Sequence, residues 1–125
     1  MPVMNVIVGD LSYTLGVGQG NTFLRLAGNL CGSHTAARVG TVFQRALNHV
    51  SDKFFLSLEG CYAIDSEALA LLIQQQKTLG AMARDLVLVD VPIQIMKLLE
   101  ASHLTSLCEV LPSLEDAEKK YGYIS

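Results

Sequence analysis

Three extended runs open the chain, and glycines separate them. Residues 6–8, 13–15 and 23–27 are rich in β-branched, aromatic and aliphatic side chains. Gly16, Gly18, Gly20 and Asn21 interrupt any longer element between the second run and the third. This pattern predicts a strand and a tight hairpin, with antiparallel pairing and a last run that ends at Gly28.

From Ser33 the hydrophobic period becomes helical. One face collects a row of small and apolar residues, namely Ala36, Val39, Gly40, Phe43, Leu47 and Val50. We expect a helix with Ser33 as its N-cap. A short strand is predicted over 54–58, bounded by Asp52 and Gly60. A second helix then runs from Ser66, again as the cap, to about Met82; its predicted buried face is Leu69, Leu72, Ile73 and Leu79.

The last third of the chain repeats the alternation. The aliphatic run 86–89 is typical of a central strand that helices cover on both faces. Pro92 fits the first turn of a helix through Leu99, because that position needs no backbone donor. A final strand is expected near 107–111, and Ser113 to Asp116 resembles a capping box that opens a short last helix.

Helices and strands that alternate with short connections predict parallel strands and right-handed crossovers, hence an α/β fold. Function in such sheets concentrates where strands lead into helices at their carboxyl ends. Three such connections exist here, at 29–34, 62–66 and 90–93. We expect all three on one rim.

Composition narrows the class of protein. The chain has 125 residues, half of them hydrophobic, which suits one domain with a real core. Its net charge of −3 and its scattered Lys and Arg residues argue against direct binding of nucleic acid. The longest apolar stretch, 68–73, is too short to insert in a bilayer, so a cytoplasmic protein is predicted. The three Cys and three His residues are dispersed, which predicts neither disulfides nor a metal site.

Several enzyme classes fit the sequence poorly. A hydrolase elbow needs small residues around its serine, whereas Asp65 and Glu67 flank Ser66. A phospho-aspartate receiver needs a carboxylate pair for Mg²⁺, but Asp10 stands alone. The glycines at 16–20 lack the Lys-Ser or Lys-Thr of a phosphate-binding loop. We therefore predict a binding module and not an enzyme, with no cofactor of its own.

Ser66 admits two interpretations from its chemistry. Its hydroxyl can cap a helix, or it can carry a phosphate at the positive end of that helix. Phosphorylation would add roughly −1.5 to −2 charges between Asp65 and Glu67, which would change what can dock there.

The segment Ile64-Asp65-Ser66-Glu67-Ala68-Leu69 resembles the phosphorylatable turn of STAS domains, the family of bacterial anti-sigma factor antagonists and stressosome scaffold proteins. Residues 26–30 and 86–104 resemble the same family in order and spacing. The resemblance covers about 22–121 and implies a single STAS domain over 1–125 with that core. It implies a STAS-like (SpoIIAA-like) α/β fold, with a mostly parallel central sheet, an N-terminal antiparallel hairpin and about four helices.

The resemblance also implies a function. The protein would bind an anti-sigma factor that is a serine kinase, phosphorylation of Ser66 would switch that binding off, and a phosphatase would restore it. ATP would belong to the kinase. The residues expected to face the partner are Asp65, Ser66, Glu67, Asn29, Cys31, Ser33, His34, Tyr62 and Pro92.

Five departures from the family pattern affect the partner more than the fold. Ala68 replaces a glycine, Glu67 adds a carboxylate beside the acceptor, and Asn29 and Cys31 replace acidic residues. His103 takes a position that glycine often holds. The alternative is a STAS scaffold subunit of a stressosome-type assembly, or a cytosolic STAS component of a lipid or anion transporter.

Overall fold

The structure, a computed structural model, describes residues 3–8, 11–17, 21–48 and 52–121. These residues form three opening strands, after which helices and strands alternate. In chain order the elements are β1 (Val3–Val8), β2 (Leu11–Val17), β3 (Asn21–Leu30), α1 (Ser33–Leu47), β4 (Lys53–Ile64), α2 (Ser66–Ala81), β5 (Asp85–Val89), α3 (Ile93–Ala101), a 3-10 turn (Leu104–Ser106), β6 (Glu109–Leu111) and α4 (Leu114–Tyr121). Gly18 and Gly20, predicted in the hairpin turn, and Val50, predicted at the end of a helix, lie outside the described residues.

The six strands form one sheet in the order in which they occur along the chain. β1, β2 and β3 pair antiparallel, and β3 to β6 pair parallel. This confirms the predicted fold class, a mostly parallel sheet preceded by an antiparallel hairpin. β5 is an interior strand, and its residues 86–89 are buried as expected, but it lies next to the edge strand and not at the centre.

Helices cover the sheet on both faces. α1, α2 and α3 contribute to the larger core, in which the rings of Phe43 and Phe54 stack with centroids 5.4 Å apart. α4 packs on the other face through Ala117, against Phe55 and Val87. The strands are therefore shielded where they pair in parallel, as such sheets require.

The buried face of α2 differs in part from the predicted one. Leu72 and Leu79 are fully buried, whereas Leu69 and Ile73 are half-buried beside them. Gln75 shares the buried face, and its Oε1 has no hydrogen-bond partner among the described residues. A buried amide oxygen without a partner weakens the fold.

β3 and β4 both run past the glycines that were predicted to end them. A Cβ at Gly60 would lie 2.5 Å from the Cβ of Ala27, so Gly60 allows two strands to approach closely and does not terminate one. The register shifts on both sides of this contact, and β5 pairs with β4 only as far as Ser57. We call residues 27–30 and 60–64, paired beyond that point, the β3–β4 arm.

The helix starts differ from prediction by one residue. Gly32 is the N-cap of α1 and Asp65 that of α2, so Ser33 and Ser66 are first helical residues and not caps. The prediction assigned the capping hydrogen bond to the Ser66 hydroxyl, but the Asp65 side chain accepts it from the Ala68 amide. Asp65 is the cap because its backbone is extended, as that of an N-cap residue usually is. Pro92 is likewise the N-cap residue of α3 and lies just before its first turn.

The predicted capping box at α4 forms in part. The Ser113 hydroxyl accepts from the amide of Asp116 at 3.1 Å. The Asp116 carboxylate accepts from that same hydroxyl at 3.0 Å, where a complete box would have it accept from the backbone amide of Ser113.

Two helix ends use left-handed residues that carry side chains. Ala83 follows α2 with φ 56°, and His103 follows α3 with φ 65°. This conformation favours glycine, which is the physical reason that glycine suits the position of His103.

Candidate functional site

Ser66 lies at the far end of the β3–β4 arm, as the first residue of α2. Its side chain and that of Glu67 are exposed, and Asp65 is half-buried. Tyr62, four residues earlier on β4, is 69% exposed. The turn therefore presents a hydroxyl, two carboxylates and one aromatic ring to solvent.

The carboxylate of Asp65 connects the starts of two helices. Its Oδ1 accepts from the Ala68 amide of α2 at 3.0 Å. Its Oδ2 accepts from the Gly32 amide at the start of α1 at 2.6 Å. The hydrogen bond from Gly32, followed by that from Ala68, holds the pKa of Asp65 below its ordinary value. Asp65 is therefore ionised at neutral pH.

The segment before α1 is held by a second local contact. The side-chain oxygen of Asn29 accepts from the amide of Cys31 at 2.8 Å. Gly32 has φ 100°, which a side chain would strain, and His34 is exposed on the first turn of α1. Asn29 is thus a structural partner of its own turn, and Cys31 is half-buried within it.

The predicted meeting of the first two connections is observed. Leu30 pairs with Ile64 at the end of the β3–β4 arm, and the bond between Gly32 and Asp65 links the residues that follow. Segments 29–34 and 62–66 thereby form one surface, which we call the Ser66 rim. Because two helix N-termini converge there, their backbone dipoles favour negative charge at this point.

The third connection is not brought to the Ser66 rim by any described hydrogen bond. Val89 pairs with Ser57, and β4 continues from there to Ile64. Asp90 accepts from the first amide of α4 at 3.2 Å, and burial raises its pKa. Pro92, which follows, is half-buried at the level where β5 ends. Because β3, β4 and β5 run parallel, all three connections lie at the same edge of the sheet, but β4 outruns β5, so the third connection lies short of the Ser66 rim.

A shallow groove of about 380 Å³ adjoins Glu67 between α1 and α2. Its lining is mostly small or apolar, with Ala36, Ala37, Glu67, Ala70, Leu71 and Gln74. The sequence analysis missed this groove. The small residues on both helices were the available signal, but only the packing of the two helices against each other shows that they line one groove.

Three other kinds of functional site would need metal ligands, reactive thiols or a long apolar helix in the described part of the chain. No group of three His, Cys, Asp or Glu side chains there could hold a metal ion. Burial raises the pKa of Cys61 to about 12 and that of Cys108 to about 11, so both thiols are poor nucleophiles at neutral pH. None of the described helices has the length and apolar character that a bilayer span requires.

Comparison with known proteins identifies the family of this chain. The STAS domain family model matches residues 14–117. No curated protein has a significantly similar sequence.

Solved structures are similar in fold at low identity. An anti-sigma factor antagonist from Mycobacterium paratuberculosis has a TM-score of 0.77 at 15% identity, over 92% of this chain and 97% of that one. SpoIIAA of Bacillus in its phosphorylated form has a TM-score of 0.66 at 18% identity, over 86% and 97%. A sulfate transporter family protein from Wolinella succinogenes has a TM-score of 0.72 at 17% identity, over 84% and 87%. At these identities the likeness concerns the fold alone.

Proposed function

Because the chain belongs to the STAS domain family, we propose that it is an anti-sigma factor antagonist-like regulatory protein that docks through the Ser66 rim. Its partner is an anti-sigma factor with serine kinase activity, and reversible phosphorylation of Ser66 switches the binding. The protein acts as a non-enzymatic binding module in the cytoplasm. The neighbours in fold include anti-sigma factor antagonists, and one of them, SpoIIAA, has been solved in a phosphorylated form.

The exposed hydroxyl of Ser66 at the first position of α2 carries the proposal. A kinase needs an accessible acceptor, and the side chain of Ser66 is exposed at the first position of α2. Transfer forms a bond between Ser66 Oγ and the γ-phosphorus of the kinase's ATP; ADP leaves and the hydroxyl loses its proton. A phosphatase reverses the state by hydrolysis of the phosphate ester.

Charge explains why the modified form would release its partner. The rim already holds the carboxylates of Asp65 and Glu67, and a phosphate adds roughly −1.5 to −2 charges between them. A partner surface that fits the unmodified rim would then face a local charge near −4, and like charges at an interface cost affinity. The groove beside Glu67 offers the same partner an apolar contact close to the switch.

Glu67 tunes the switch in this proposal. Its exposed carboxylate lies in the first turn of α2, where it interacts favourably with the positive end of the helix dipole. The same carboxylate repels the phosphate group that a kinase must bring to Ser66. We expect Glu67→Gln to increase the rate of phosphate incorporation at Ser66. An unchanged rate with the cognate kinase would remove Glu67 from the switch.

Affinity capture from the native cell, followed by mass spectrometry, identifies the partner and the modified residue together. The expected result is a serine kinase in the capture and phosphate on Ser66. Phosphate on other residues only, with no kinase retained, would reject the proposal.

Binding measurements with the captured kinase then test the switch. Ser66→Asp should weaken binding about tenfold or more, which corresponds to about 1.4 kcal/mol, whereas Ser66→Ala should bind normally and incorporate no phosphate. Ser106→Ala, at an exposed serine that precedes β6, is the matched control and should behave as wild type. Equal affinity of wild type and Ser66→Asp would contradict the proposal.

The similarity to a sulfate transporter family protein supports one alternative, a STAS component of an anion or lipid transporter; a stressosome-type scaffold subunit is the other. Stable co-purification with a membrane transporter, in which Ser66→Asp changes nothing, would favour the transporter role. A large homogeneous assembly that contains many copies of this chain would favour the scaffold role.

A further inference from the structure

We infer that Asp65 couples the charge at position 66 to the turn before α1, so that a phosphate on Ser66 breaks the hydrogen bond between the Gly32 amide and the Asp65 carboxylate. The inference rests on the proposed modification of Ser66. It adds a second place, residues 29–34, where that modification changes the rim.

Beyond the backbone pairing of Leu30 with Ile64, the described hydrogen bond that joins the two segments comes from one side chain, that of Asp65. α1 has no side-chain cap of its own, and the Asp65 carboxylate accepts from the N-cap amide of Gly32 at 2.6 Å. Nothing lies within 4 Å of the place where a Cβ of Gly32 would be, so side-chain packing does not hold the turn at this point. A loss of the carboxylate would therefore free the Gly32 amide.

The two hydrogen bonds of Asp65 differ in how readily they yield. The bond from Ala68 is part-buried and lies within the same helical turn as Ser66. The bond from Gly32 is exposed and joins segments that are 33 residues apart. A displacement of the Asp65 carboxylate thus breaks the second bond before the first.

A phosphate supplies the force for that displacement. It stands on the residue next to Asp65, which remains ionised because its hydrogen bonds lower its pKa. A dianion beside a fixed carboxylate repels it, and rotation of the Asp65 side chain away from Gly32 relieves the repulsion. The turn that carries Cys31 and His34 then loses this hydrogen bond to the start of α2, and the partner meets a rim altered in both of its segments.

The experiment is an amide NMR comparison of two full-length forms, the wild type and the protein with phosphoserine incorporated at position 66 during translation. We expect the Gly32 amide proton to move upfield and to exchange with solvent at least tenfold faster in the phosphoserine form. The amides of Gly40 in α1 and Gly80 in α2 are the internal controls and should not change. A Gly32 change no larger than theirs would overturn the inference.

Asp65→Asn shows whether the carboxylate is the coupling group. The amide side chain of asparagine keeps a similar shape but carries no charge. In this variant, phosphoserine at position 66 should change the shift and exchange rate of the Gly32 amide proton by less than a third of the change seen when residue 65 is aspartate. An equal effect in both backgrounds would overturn the inference. Neither arm uses a kinase, so this coupling and the proposed function can each fail while the other stands.

Discussion

The buried face of α2 carries one amide oxygen whose removal should stabilise the protein. Gln75 is only 6% exposed, and its Oε1 has no hydrogen-bond partner among the described residues. Methionine is unbranched, close in length and equal to glutamine in helix propensity, so Gln75→Met removes the polar group with little change of shape. Leu72 and Leu79, one turn to either side, supply an apolar environment for the new thioether.

The expected gain follows from the cost of an unsatisfied buried group. Such a group costs about 1–3 kcal/mol, and its replacement by an apolar group of similar shape recovers much of that amount. We therefore expect Gln75→Met to raise the free energy of unfolding by about 1–2 kcal/mol. For 125 residues with an unfolding entropy of roughly 2.1 cal/mol/K each, every 1 kcal/mol raises Tm by about 4 °C.

The neighbouring glutamines provide matched controls for a urea denaturation or calorimetry series. Gln74 is exposed, so Gln74→Met should change stability by less than about 0.5 kcal/mol. Gln76 donates from Nε2 to the carbonyl of Leu107 at 3.0 Å, so Gln76→Met should lose about 0.5–1 kcal/mol. If Gln75→Met is no more stable than wild type while Gln74→Met is neutral, the buried oxygen is satisfied and the reasoning is refuted.

Three further changes test other local explanations. Ala83→Gly should raise the free energy of unfolding by about 1 kcal/mol because Ala83 has φ 56°, whereas Ala70→Gly inside α2 should lower it by about as much. Denaturation measures both variants, and a change of the same sign in the two would contradict the conformational argument. Gly60→Ala should lower the free energy of unfolding by roughly 1–3 kcal/mol because its methyl group clashes with β3. Gly80→Ala, at an open helical position, should raise it by up to about 1 kcal/mol. A gain of stability in both variants would refute the steric argument. Burial raises the pKa of the Cys61 thiol to about 12, so iodoacetamide at pH 8 should not alkylate it until the protein unfolds. Mass spectrometry measures the alkylation. A native protein that is alkylated as fast as the unfolded one would contradict this expectation.

Elements whose evidence is local were predictable from the sequence. The runs 54–58 and 86–89 are strands, and the four expected helices form, because each period is set by neighbouring residues. The length of β4 was not predictable in this way. Gly60 looks like a terminator along the chain, and only its contact with Ala27 on another strand explains why β4 continues.

The candidate site was likewise predictable only in part. The hydroxyl of Ser66 and the meeting of its turn with segment 29–34 follow from the handover of parallel strands to helices. The role of Asp65 does not, because Ser66 and Asp65 are both acceptable caps and backbone geometry decides between them. Pro92 shows the other limit, since the sequence orders the strands but does not say that β4 is longer than β5.

The hydrogen bond between Gly32 and Asp65 closes a loop that contains all of α1 and all of β4. Closing such a loop costs chain entropy that only the packed helix and strand repay, so the bond cannot persist before they are in place. The turn that carries Ser66 therefore takes its shape only when the protein folds. A nascent or denatured chain has the same sequence at this point but not the same conformation. If Ser66 is phosphorylated as proposed, a kinase that recognises this folded turn would modify native molecules and leave denatured ones unmodified.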